Sequence, residues 1–326
     1  MNTRLGSRGG LERDPCERFA RWTAGVSVAL LSTTVNLPLV YAREHIALPP
    51  VNLGGSSFMD GVGGPGLLAR EALGGFRATR FTDASGHAVP GQNTIVAFTS
   101  ATLVGYMPPI KVLGGNWGVE VLVPLVYADV TTPSGSASTT GIGDFTFSAL
   151  VWQAPPLVVG AGQLFQRLDL DVVVPTGQYA SSALVTAGSN LWSGNPYYAF
   201  TWLATGRIET SWRFHYLWNS TNTAPGPAYE ATSIQPGQAV HFNGAASVAV
   251  VPDLRVGVAG YFLRQLTDSK ANGQSVFGSQ EQVAGLGPGL LAQTGSLEFV
   301  ANVYTEFAVQ NRPRGTRANV VVMAVW

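Results

Sequence analysis

From residue 74 onward the chain divides into strand-like segments whose connections alternate between long polar loops and very short turns. Twelve segments can be drawn, at 74–82, 94–106, 116–129, 143–153, 163–175, 195–205, 207–219, 239–250, 253–266, 280–292, 295–306 and 315–326. The connections after the sixth, eighth and tenth are Thr205-Gly206, Val251-Pro252 and Gln293-Thr294, while those after the fifth, seventh and ninth run over 176–194, 220–238 and 267–279. Tilted strands of about 9–11 residues cross a bilayer, and bacterial barrels have an even strand number, short turns on one side and long loops on the other. An even-stranded barrel with both ends on the short-turn side must send every second connection across, and the long loops all fall there. The expected fold is therefore all-β: a transmembrane antiparallel barrel of about 12 strands.

The faces of several segments agree with this. Trp212, Phe214, Tyr216 and Trp218 alternate with Ser211, Arg213, His215 and Leu217. Leu168, Leu170, Val172 and Val174 alternate with Arg167, Asp169 and Asp171, and Leu297, Phe299, Ala301 and Val303 oppose Glu298, Asn302 and Glu306. A charge held against hydrocarbon at mid-depth costs about 2–4 kcal/mol, so the charged faces belong to the lumen. Charged residues are only 12% of the chain, against about 25% in soluble domains.

Three regions are expected. Residues 1–42 read as a secretory signal peptide: Arg4, Arg8, Arg13, Arg18 and Arg21 precede an uncharged stretch, and Val40-Tyr41-Ala42 offers small residues for cleavage. Residues 43–73, rich in Gly and Pro, read as an N-terminal extension or plug, with a short helix over 65–73 suggested by Pro65 and Gly74. Residues 74–326 form the barrel. Without 1–42 the balance is 14 basic (19 − 5) against 16 acidic (19 − 3) residues, so nothing points to nucleic acid. Cys16, the only cysteine, lies in the signal, which excludes disulfide and thiol chemistry from the exported part.

No cofactor, metal site or catalytic set is expected. Gly54-Gly55-Ser56-Ser57 and Gly61-Val62-Gly63-Gly64 lack the Gly-Lys-Ser/Thr of a phosphate loop. His215 and His241, near the long-loop ends of neighbouring strands, could meet, but no carboxylate at suitable spacing completes a metal site. An outer-membrane phospholipase, also a twelve-stranded barrel, is the enzyme alternative. It needs a Ser activated by a His, yet His241-Phe242-Asn243-Gly244 puts Asn where that motif has Ser, and Ser247 lies too far along.

The lumen and constriction candidates are Arg167, Asp169, Asp171, Arg213, His215, His241 and Glu298. The first four read either as an internal salt-bridge network or as a selective polar constriction. Trp326, on a face with Ala324, Val322 and Val320, reads as part of the assembly signal used by the barrel-assembly machinery. The other expected partners are outer-membrane lipid and a small hydrophobic or aromatic ligand. The leading functional expectation is a channel or transporter for such compounds, and the alternative is a structural or surface-interaction barrel without transport.

Several stretches resemble the outer-membrane proteins of the phenol-degradation meta-pathway: 48–66, Gly141-Ile142-Gly143-Asp144-Phe145, Pro175-Thr176-Gly177-Gln178-Tyr179, Gly188-Ser189-Asn190-Leu191-Trp192, and Gly206-Arg207 with its aromatic strand. The resemblance implies an outer-membrane barrel tied to aromatic catabolism with a proposed role in transport, and it supplies no catalytic residues.

Overall fold

The computed structural model describes residues 46–326; the expected signal peptide, residues 1–42 with Cys16, and residues 43–45 lie outside the described residues. Twelve antiparallel strands form a closed barrel: β1 (Gly66–Phe81), β2 (Thr94–Met107), β3 (Gly115–Thr132), β4 (Phe145–Gln153), β5 (Gly162–Val174), β6 (Tyr197–Leu203), β7 (Ile208–Asn219), β8 (Ala239–Val251), β9 (Leu254–Gln265), β10 (Gln282–Thr294), β11 (Leu297–Gln310) and β12 (Pro313–Val325). Each pairs with its sequence neighbours, and β1 closes the ring on β12 from Leu68↔Val325 to Phe81↔Pro313. Closure leaves no exposed edge, the condition for a sheet to sit in lipid.

The expected helix over 65–73 is not formed. Those residues begin β1, because ring closure gives their backbone partners on both sides, β2 and β12, that a lone helical turn lacks. The barrel accordingly starts at Gly66 rather than 74. Above β3, the strand Gly135–Ile142 continues the hairpin outward. Strand β6 is short because Asn195-Pro196 interrupts it, and Ser193–Gly194 takes its place between β5 and β7 at the long-loop end.

Burial follows the alternation. On β7, Glu209, Ser211, His215, Leu217 and Asn219 are buried, while Phe214, Tyr216 and Trp218 are exposed. An outer band of Phe200, Trp212, Phe214, Phe242 and Phe262 runs across β6–β9 with neighbouring ring centroids 5.5–6.4 Å apart. Glu71 is an outward-facing exception on β1, and its two oxygens accept from Ser100 at 2.5 Å and Thr102 at 2.6 Å.

The segment 46–61 lies inside the barrel and spans its whole height, and the exposed residues 62–65 link it to β1. Ile46 packs with Tyr229 and Ile234 of the 220–238 loop, and Leu48 N–H donates to Glu281 at 2.7 Å. Midway, Gly54 N–H donates to Asn243, and Tyr304 and Asn319 donate to Gly54 O. Gly54 has φ +72°, and a Cβ there would meet the Tyr304 ring at 2.6 Å, so both the backbone and the space require glycine. Near the short-turn end, Met59 N–H reaches Glu209 and Gly61 N–H reaches Thr201. The glycine-rich runs at 54 and 61 thus let the chain lie close against the inner wall. They are packing devices.

Candidate functional site

Arg70, Glu120, Arg167 and Arg213 are each the fifth or sixth residue inward from the short-turn end of β1, β3, β5 and β7. They therefore sit at similar depth and point inward as a polar belt. Arg167 makes a short ion pair with Glu120 on β3 and a second, 3.2 Å, with Asp169 on its own strand. Arg213 forks onto Asp60 of the N-terminal segment, with Nε and Nη2 at 2.7 and 2.6 Å. The two-pronged geometry suits a guanidinium and a carboxylate. Asp171 accepts a short hydrogen bond from Ser148. The Tyr197 ring lies between the two cations, 4.0 Å from Arg213 and 5.9 Å from Arg167, measured from guanidinium carbon to ring centroid.

The four belt residues read from the sequence do not form one closed cluster. Arg167 and Asp169 pair with each other, Arg213 pairs with the N-terminal segment, and Asp171 turns to β4. The structure adds Glu120, Asp60, Arg70 and Tyr197. Tyr197 follows from the alternation of its strand, with Arg167 and Arg213 on either side. Glu120 stands in a run that is apolar on both faces, Val119 to Val126, where no alternation shows which way it points. Asp60 was not legible either, because the reading of 43–73 as an extension or plug gave no register against the wall and so no partner for it.

His215 and His241 are cross-strand partners on β7 and β8, with rings stacked at 4.1 Å. Asn195 joins them: its side-chain oxygen lies 3.0 Å from His241 Nε2, and its carbonyl 3.5 Å from His215 Nδ1. Glu298 stands apart at the short-turn end of β11, where Gln293 donates to it at 2.9 Å. Trp326 is exposed, and its backbone continues the ladder through two bonds to Leu67. Asn243 binds Asn52 O, Ser56 and Gly54, and Ser247 donates to Glu209. Both are occupied in holding or filling the lumen.

Between the N-terminal segment and the inner faces of β1–β5 there remains a cavity of ≈ 240 Å³. Ala72, Ala101, Leu103, Leu122, Val126 and Val173 supply an apolar wall. Arg70, Glu120, Asp171, Tyr197, Arg213 and His215 line the other parts. Two residues that line it, Thr99 and His215, each carry a polar atom closed off from solvent, Oγ1 and Nε2, with no hydrogen-bond partner among the described residues. At the long-loop end the cavity meets Gly143, Asp144 and Ala187.

The family model described as the MetA-pathway of phenol degradation matches residues 78–321, most of the barrel. The chain belongs to this family. Among solved structures, an outer-membrane channel from Pseudomonas putida F1 is similar over 81% of this chain and 97% of that one, with a TM-score of 0.71 and 14% identity. Two more distant barrels are the translocator domain of the autotransporter NalP from Neisseria meningitidis (TM-score 0.43, 14% identity, 81% and 90% covered) and a mutant of the monoaromatic hydrocarbon channel TodX (0.40, 8%, 81% and 91%). No curated protein matches the sequence. This member of the phenol-degradation family is an outer-membrane β-barrel.

Proposed function

We propose that this barrel is a channel for small, largely apolar aromatic molecules, which pass between the N-terminal segment and the β1–β5 wall. The observation that carries the reading is the cavity: ≈ 240 Å³, apolar on one side and bounded by the polar belt. An apolar cavity of about 150 Å³ is enough to hold benzene, so a substituted single ring fits here. The belt disfavours ions, because an ion entering loses hydration that already paired side chains do not replace. Trp326, by the same proposal, belongs to the signal read by the assembly machinery, and its deletion should deplete the folded, heat-modifiable barrel from the outer membrane.

The test is aromatic uptake at limiting concentration in cells with and without the protein, alongside conductance of the refolded barrel in a planar bilayer. Faster uptake with low ion conductance is expected. Equal uptake in the two strains would sink the channel reading and leave a structural barrel.

A further inference from the structure

Three of the short sequence motifs, around residues 141–145, 175–179 and 188–192, converge at one point. The Asp144 carboxylate, in the link between Gly135–Ile142 and β4, accepts Gly177 N–H at 2.9 Å and Ser189 N–H at 2.7 Å, with a short bond from the Ser189 hydroxyl. Gln178 N–H donates to Ile142 O at 2.8 Å, and Gly188 N–H to Gln178 O at 2.9 Å. Beside this neck the Tyr179 hydroxyl donates to Ala224 O at 2.7 Å. The two legs of the loop touch: a Cβ on Gly177 would lie 2.7 Å from Gly188 Cα, and one on Gly188 would lie 2.7 Å from Gly177 C. Residues 177–188 therefore make a compact loop with a closed neck, of the Ω type.

The rest of the loop is held differently. Ala183 N–H and the Thr186 hydroxyl bond to the carbonyls of Ala180 and Gly188, within the loop itself. Val185 is buried in the apolar cluster of Phe76, Ala78, Phe81, Ile95, Ala97, Ala128 and Val130, on the inner faces of β1–β3 near their long-loop ends. Ala187 forms part of the cavity's boundary. The neck is pinned by a carboxylate; beyond it residues 180–184 are exposed, and the returning leg of the tip is seated by apolar contact at Val185. Hydrophobic contact has no directional requirement and can be exchanged for contact with an apolar solute.

We propose that 177–188 is a hinged lid at the outer mouth of the lumen: the neck stays clasped to Asp144 while the tip lifts Val185 from its nest and admits solute to the cavity. The proposal rests on the channel reading for its purpose. Its geometry can be tested without transport.

Cysteine accessibility provides that test. In a Cys16→Ser background, Ala101→Cys places a thiol on the cavity wall, to be labelled from outside by an impermeant methanethiosulfonate. With the lid intact, labelling should be slow. Adding Val185→Asp should speed it on the order of a hundredfold by making the apolar nest untenable for the tip. Val185→Ala should speed it roughly tenfold and keeps the test open if the aspartate variant does not fold. In a separate variant, Val185→Cys with Ala97→Cys, oxidation should stop aromatic uptake and reduction should restore it. Labelling of Ala101→Cys at one rate, whatever stands at position 185, overturns the lid. If labelling follows the lid but uptake ignores every variant, the lid stands and the channel reading fails.

Discussion

The N-terminal segment 46–61 fills the barrel interior along its length, whereas the loop 177–188 sends only residues 185–188 into it and is tied chiefly at its neck. Glu281, Asn243, Tyr304, Asn319, Glu209, Thr201 and Arg213 reach the segment from six different strands or their flanks. Hydrogen bonds to charged groups contribute about 1.5–3 kcal/mol each, so several would have to break together before it moved. Seating Val185 contributes only about 1.5–3 kcal/mol. A bias of that size leaves an open state populated at roughly 0.1–10%. Two fillings of one lumen can therefore have separate duties: the segment sets the width of the path, and the loop decides when its mouth is open.

The largest expected effect comes from deleting 46–65. Ion conductance should rise several-fold and lose selectivity, because the lumen is left with polar groups facing water in place of the segment. A conductance unchanged from the intact barrel would mean that the segment does not set the width at all. Next is Arg213→Ala, which leaves Asp60 without its cation. Removing one partner of a buried pair costs about 3–5 kcal/mol. The segment should loosen locally and cation conductance should rise, and Asp60→Asn added to Arg213→Ala should recover part of the loss.

Asp144→Asn should act on the loop alone. It weakens the charge-assisted bonds from Gly177 and Ser189, by about 1.5–3 kcal/mol, and should expose 178–188 to limited proteolysis while leaving 46–65 protected. The gentlest measurement needs no variant of either element. In hydrogen exchange, amides of the tip should exchange well before those of Gly54, Met59 and Gly61, and equal protection would erase the distinction. Orientation is checked alongside by labelling: Thr223→Cys should react on intact cells and Gly206→Cys should not.

Most of the barrel was legible because strand alternation and loop length are local. Eleven of the twelve strands begin within two residues of where the sequence places them, and β5, β7 and β11 turn their charged faces inward. The exception is β1. Its first half, Gly66 to Leu73, mixes Arg70 and Glu71 with Ala and Leu and shows no alternation, and it is a strand because it pairs with β2 on one side and, across the whole chain, with Val320–Val325 on the other. The segment before it reads from the sequence as an extension or plug, with no path assigned. It runs the full height of the lumen, and that path was illegible because its partners are distributed over the lumen wall and no local pattern records them. The clasp at Asp144 was visible as three motifs and illegible as one site, since its bonds join positions 33 and 45 residues apart.

Val62, Gly63, Gly64 and Pro65 form an exposed link between the buried segment and β1. The segment is thus a peptide ligand tethered to its own receptor, and part of its occupancy comes from the tether, which for a short flexible linker supplies an effective concentration in the millimolar range. A single peptide-bond cut in that link would leave every lumen contact in place and yet turn the filling into a dissociable molecule. Its loss would then depend on dilution, and the pore would widen in response to a protease acting on the short-turn side of the membrane.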